Sequence, residues 1–159
     1  MPRLVELMGF EVAVLPKDIT GAAQVGDYIS LKNYQHLTIV IVQGAWAGGT
    51  SAVTLTQATA VAGTAEKALA FTKRWTKVGV TGTTFVETAV AANTFDLPNV
   101  ANTINVIEID ADMLDVNNGF DCVALQTATP GANADLLMAL YILHGARYPQ
   151  RVMLDAKTD

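Results

Sequence analysis

His36-Leu37-Thr38-Ile39-Val40-Ile41-Val42-Gln43 is the stretch from which the fold follows. It is rich in β-branched residues, which fit a pleated and half-buried surface, and it alternates weakly, as a strand buried on at least one face does. It reads as a central strand. Working outward, similar segments recur at Ala52 to Ala60, Glu66 to Val80, Thr83 to Ala89, Asn102 to Asp110, Cys122 to Thr127 and Asp135 to His144, while Asp27 to Leu31 opens the body. Turn residues such as Gly82, Pro98, Asn99, Asn117, Asn118 and Gly119 separate them. Short strands with regular turn signals, and no alternation with long helical patterns, predict an all-β chain: an antiparallel β-sandwich, jelly-roll-like, with an N-terminal arm.

Within these segments the period of two sets the expected faces. Val53, Leu55 and Gln57 share one face, opposite Thr54, Thr56 and Ala58. Glu66 to Val80 reads as one long, partly exposed strand, with Leu69, Phe71, Lys73 and Trp75 on one side and Ala70, Thr72, Arg74 and Thr76 on the other. Thr64 to Ala70 could open with a helical turn, and Asp110 to Asp115 reads as a brief 3₁₀ turn with Met113 and Leu114 pointing inward. Met1 to Pro16 reads as an arm or edge element, so residues 1–25 are expected as an N-terminal arm and lead-in loop, residues 26–150 as the sandwich, and residues 151–159 as a C-terminal tail.

The chain has 159 residues, enough for one domain with a sizeable core. Hydrophobic residues make up 51% and charged residues 16%, so the surface must carry much Thr, Asn, Gln, Ala and Gly, a composition suited to packing against other protein. The longest apolar run, Leu136 to Leu143, is short of the roughly 20 residues that a membrane helix needs. Glu6 and Glu11 interrupt the apolar N-terminus, which therefore lacks the pattern of a signal peptide. With a single cysteine and no Asn-x-Ser/Thr acceptor, synthesis in a cytoplasm is expected. A net charge of -5 opposes direct contact with nucleic-acid phosphates.

Residues that commonly perform chemistry are sparse: His36 and His144, Ser30 and Ser51, and Cys122. The two histidines read as strand-end residues that hydrogen-bond their surroundings, and Cys122 as a small buried hydrophobe. Asp110, Asp112, Asp115 and Asp121 offer oxygen ligands for Ca²⁺, but Leu114 and Asp115 break the EF-hand pattern, and a solvated turn is the better reading. Gly44 to Ser51 lacks the Gly-Lys-Ser/Thr ending of a phosphate loop and reads as a mobile connection with Trp46 exposed on it. Lys73, Arg74 and Lys77, beside Phe71 and Trp75, read as a basic strand edge protected against sheet extension. No cofactor, metal or catalytic set is expected.

Three stretches carry a resemblance: Gly26-Asp27-Tyr28-Ile29-Ser30-Leu31-Lys32-Asn33-Tyr34, then Thr54-Leu55-Thr56-Gln57-Ala58-Thr59-Ala60-Val61-Ala62-Gly63-Thr64, then Asn117-Asn118-Gly119-Phe120-Asp121-Cys122-Val123. The last continues to Ala139-Leu140-Tyr141-Ile142-Leu143 and Ala146-Arg147-Tyr148-Pro149-Gln150. Together they resemble a family of small structural proteins of tailed bacteriophages. The resemblance implies a non-enzymatic capsid decoration or cement protein on the outer surface of the virion, made in the bacterial host cytoplasm and partnered by the major capsid protein and by its own copies as a homodimer or homotrimer. Leu4, Val5, Leu7, Met8 and Phe10 in the arm, with Trp46, are the expected capsid or subunit contacts. A neck or tail component of the virion, and a carbohydrate-binding module using surface aromatics, are the alternatives.

Overall fold

The computed structural model describes residues 3–79, 81–148 and 155–157. A short helix, α1 (Leu4–Leu7), precedes twelve strands: β1 (Gly9–Asp18), β2 (Gln24–Val25), β3 (Ile29–Ser30), β4 (Tyr34–Trp46), β5 (Ala52–Ala58), β6 (Lys67–Ala68), β7 (Lys73–Lys77), β8 (Val86–Ala89), β9 (Thr94–Asp96), β10 (Thr103–Asp110), β11 (Cys122–Thr127) and β12 (Asp135–Ala146). The larger sheet runs β1-β12-β4-β10-β7-β8, and the second β2-β11-β5-β6 with β3 also on β11 and β9 on β5. Every pairing is antiparallel. The two layers form the expected β-sandwich, and no described helix is long and apolar enough to cross a membrane.

The quoted stretch lies in β4, whose alternation turns Leu37, Ile39 and Ile41 into the core. Its neighbours do the same with Ile107 and Ile109 of β10 and with Leu137, Ala139, Tyr141 and Leu143 of β12. From the opposite layer Val53, Leu55, Val123 and Leu125 close the core. Burying a side chain of this size contributes roughly 1.5–3 kcal/mol, so the seam between the layers dominates the stability of the fold.

Three expectations about the chain path are corrected. Glu66 to Val80, expected as one strand, is two: β6 pairs with β5 in the second sheet and β7 with β10 in the larger one. Leu69 and Phe71 are buried where the chain crosses between layers, after which the inward phase passes to Arg74 and Thr76, so the expected faces hold only before Thr72. Val80 lies outside the described residues. Of Met1 to Pro16, expected as an arm or edge element, Gly9 to Pro16 is edge: it lies in β1, which pairs with β12 and runs on to Asp18, into the expected lead-in loop. The dense apolar spacing that fits neither period reflects bulged pairing between Val12 and Lys17.

Smaller differences follow the same logic. α1 is the helix of this region, and Thr64 to Ala70 contributes turn and β6 instead of a helical turn. Ala111–Met113 is the expected 3₁₀ turn, with Leu114 buried but Met113 turned outward. Of the tail, Asp155 to Lys157 is described: Ala156 is buried, its carbonyl accepts the Ser30 N–H at 2.7 Å, and Lys157 Nζ reaches Asp27 and Glu11. Residues 151–154 and 158–159, like Pro149 and Gln150 of the resemblance, lie outside the described residues.

Candidate functional site

The two outer faces of the sandwich are built differently. On the second sheet, Thr54, Thr56 and Ala58 of β5 lie opposite Gln126, Ala124 and Cys122 of β11, a small and partly polar set. Tyr28 roofs it, with Val61 packed alongside. The Tyr28 hydroxyl lies 2.8 Å from Thr56 Oγ1, and burial, with Glu66 nearby, pushes its pKa up to about 12. Gly63 is required beneath the ring, since a Cβ there would stand 3.0 Å from Tyr28 Cε2 at a positive φ.

Among the described residues the larger sheet has no such roof. Its outward apolar residues are Phe10 and Val12 on β1, Leu136, Met138, Leu140 and Ile142 on β12, Val40 and Val42 on β4, Ile104 and Val106 on β10, and Trp75 on β7. Register places them side by side: Phe10 beside Ile142, Val12 beside Leu140, Leu140 beside Val40, Val40 beside Val106, and Val106 beside Trp75. None of these carries a charge; the charged residues of the same face lie off its centre, Glu108 following Val106 on β10, Lys77 opposite Ile104 on β7, and the Lys73–Glu87 pair beyond Trp75. At one end, Gly44 leaves a hollow of about 310 Å³ lined by Val42, Leu136, Leu137 and Met138, with Pro16 and Lys17 at its edge.

At the opposite end the face closes on a polar row across three strands, Asp110 on β10, His36 on β4 and His144 on β12. His36 Nδ1 donates to Asp110 Oδ1 at 2.5 Å, the two imidazoles stack with centroids 5.1 Å apart, and His144 Nε2 lies 3.1 Å from Thr38 Oγ1. Burial, and then the neighbouring His36, hold the His144 pKa below its ordinary value. The sequence reading placed both histidines at strand ends but could not bring them together, because pairing across β4 and β12 is set by long-range register and not by local spacing.

The other candidates separate. Asp115 accepts Lys67 and Asn118, which hold its carboxyl below the usual range, Asp110 is engaged by His36, and Asp121 lies beside Cys122 Sγ at 3.2 Å. No group of three metal-ligating side chains converges among the described residues. The basic cluster splits: Lys73 pairs with Glu87 at 2.8 Å on the outer face, while Arg74 turns inward to Asn105 Oδ1 and Thr76 Oγ1, each at 3.0 Å, and stacks on Phe95. Cys122 is fully buried, as expected.

Among the expected contacts, Leu4, Val5 and Leu7 are 57%, 64% and 49% exposed, Phe10 is 43% exposed, and Met8 is half-buried. Trp46, expected on an exposed mobile loop, instead packs against the core and donates to the Gly49 carbonyl at 3.3 Å. The loop is held because buried Asp135 accepts the Ala47 N–H at 2.5 Å and the Gly48 N–H at 3.3 Å. Sequence inspection missed the bare sheet face, although two near-continuous apolar strands, β4 and β12, signal burial on both sides.

No protein-family model matches the chain, and no curated protein matches it in sequence. Among solved structures, the SPBc2 prophage-derived protein YomS is 10% identical, with 86% of this chain and 91% of that one covered and a TM-score of 0.46. A structure of Bacillus endospore appendages, described as a novel family of disulfide-linked pili, is 13% identical over 88% of this chain and 89% of that one, with a TM-score of 0.38. A structure of infectious bursal disease virus, Gx strain, is 15% identical over 91% of this chain and 34% of that one, with a TM-score of 0.41. At these identities and scores the likenesses fix no function.

Proposed function

We propose that the chain is a non-enzymatic structural protein of a phage virion that binds the outer surface of the capsid and stabilises the shell. The observation that carries this reading is the row of exposed apolar side chains on α1, Leu4, Val5 and Leu7, presented at the edge of a rigid sandwich. Large apolar side chains standing in water are unfavourable by roughly 25 cal/mol per Å², and docking them on a partner recovers that free energy. The resemblance of the Gly26 to Gln150 segments to small phage structural proteins supplies the partner, the major capsid protein. Several such contacts made at once by an oligomer would add avidity, so each can be weak.

The test is binding of the purified chain to capsids that lack it, followed by heating. Saturable binding spread over the shell, with a raised temperature of capsid disruption, is the expected result. Absence of binding, or copies confined to one vertex or to the tail, overturns the decoration role.

A further inference from the structure

We propose that the bare outer face of the larger sheet is a self-association surface, and that two copies pack face to face across it about a two-fold axis. This goes beyond shell binding, which is assigned to α1, and does not rest on it. The first ground is the contrast between the two outer faces: small Thr and Ala positions on the second sheet are roofed by Tyr28, whereas no described residue roofs the Val, Ile, Leu and Met positions on the larger one. An antiparallel sheet facing water normally alternates apolar inside with polar outside, and β4 and β12 do not.

The second ground is size. Five strands at about 4.8 Å spacing, and the seven positions from Leu136 to Ile142 at about 3.4 Å rise, span roughly 24 Å in each direction. That is a projected face of about 600 Å² per copy and about 1,200 Å² for a pair, where specific interfaces begin, before side-chain corrugation enlarges it. The third ground is charge. A chain of net charge -5 repels its own copies, yet the centre of this face, from Val12 through Leu140 and Val40 to Val106, holds no ionisable group. Close approach of two copies there places no like charges opposite one another.

The fourth ground is shape. An isologous interface requires that whatever projects from the face should find a matching recess on the same face. Phe10 projects beside Ile142 at one end, and the Gly44 hollow lies beside Leu136 and Met138 at the other. A two-fold axis in the plane of the face, crossing β12 near Leu140, exchanges these two ends. Phe10 of each copy then enters the hollow of the other. Gly44 is needed for the recess, because a Cβ at that position would stand 3.1 Å from Leu136 Cβ.

Sedimentation equilibrium of the full chain from submicromolar to about 100 µM decides the matter, together with the variants Val40→Glu and Phe10→Ser. The expected result is a dimer whose dissociation constant rises at least about 100-fold in Val40→Glu, where two carboxylates would face an apolar partner, and about 10-fold in Phe10→Ser. Circular dichroism shows whether each variant keeps the sandwich. If Val40→Glu fails to fold, Leu140→Cys replaces it, treated with a short bis-maleimide, because packed sheets stand about 10 Å apart, beyond the reach of a disulfide but within that of a two-headed thiol reagent. A chain that stays monomeric throughout, a dimer indifferent to Val40→Glu and Phe10→Ser, or a Leu140→Cys variant that does not crosslink overturns the proposal, and the first of these would leave the face to a different protein. Capsid binding that fails while dimerisation persists would refute the shell reading alone.

Discussion

The Tyr141 hydroxyl, on the inner face of the larger sheet, accepts the N–H of Leu125 in the opposite sheet at 2.7 Å, so one buried hydrogen bond ties the two layers of the sandwich together. The neighbouring backbone is fitted closely around it. A Cβ on Gly26 would come within 2.9 Å of that hydroxyl and 3.0 Å of the Ala13 and Leu125 carbonyls.

Tyr141→Phe is expected to destabilise the fold by about 1–3 kcal/mol, because the ring still fills its place but the Leu125 N–H is left without an acceptor. Urea unfolding followed by circular dichroism measures it. A change below about 0.5 kcal/mol would show that the layers are held by apolar packing alone.

Asp135→Ala removes the acceptor for the Ala47 and Gly48 N–H groups and should cost about 2–3 kcal/mol. It should also speed proteolysis within residues 47–51, since that loop is tied down through this carboxylate. Unchanged cleavage at that loop would contradict the assignment.

Stability should fall on mild acidification through His144. Its folded pKa lies below the ordinary 6.5, so the unfolded chain takes up the proton more readily and protonation favours unfolding. The contribution is intact above pH 6.5 and is lost progressively as the pH falls from there through the lowered folded pKa; Glu108 and Asp110 oppose the shift, and burial and His36 drive it. His144→Gln should flatten the urea midpoint between pH 7.5 and 5. An equally steep profile in the variant would assign the pH dependence to other groups.

Replacing Leu4, Val5 and Leu7 together by Ser should leave folding stability within about 0.5 kcal/mol, because none of the three is buried. Capsid binding, measured by co-sedimentation with shells, should weaken at least about 10-fold. Full binding by the triple variant would move the contact elsewhere on the surface.

How far the residues alone announce this structure depends on the range of the interaction. The bounds of β11 and, to within a residue or two, of β10 and β12 were legible, because period-two burial is written locally in Cys122 to Thr127, Asn102 to Asp110 and Asp135 to His144. The crossing at Leu69 to Thr72 was not, since a strand that leaves one sheet for another keeps its β-rich composition and changes only its partner. Arg74 illustrates the same limit: in sequence it belongs with Lys73 and Lys77, and it becomes a core-edge residue through Asn105 and Thr76. The exposure of Leu4, Val5 and Leu7 on α1 was legible, because their apolar side chains have no periodic place in a core. Trp46 was not, because its cover comes from strands remote in sequence.

The position of β4 governs how this chain must reach its native state. Its two neighbours, β10 and β12, are made long after it, and β12 closes the order only once Ala146, some 100 residues beyond the end of β4, has left the ribosome. Until then an apolar strand with both edges open waits for partners, the kind of segment that nucleates cross-β aggregation. Folding dominated by such distant pairings runs on the order of milliseconds to seconds, much slower than helical domains. Yield in a heterologous host is therefore governed by chaperone capacity and synthesis rate, and slowing expression should shift the product from inclusion bodies to native protein.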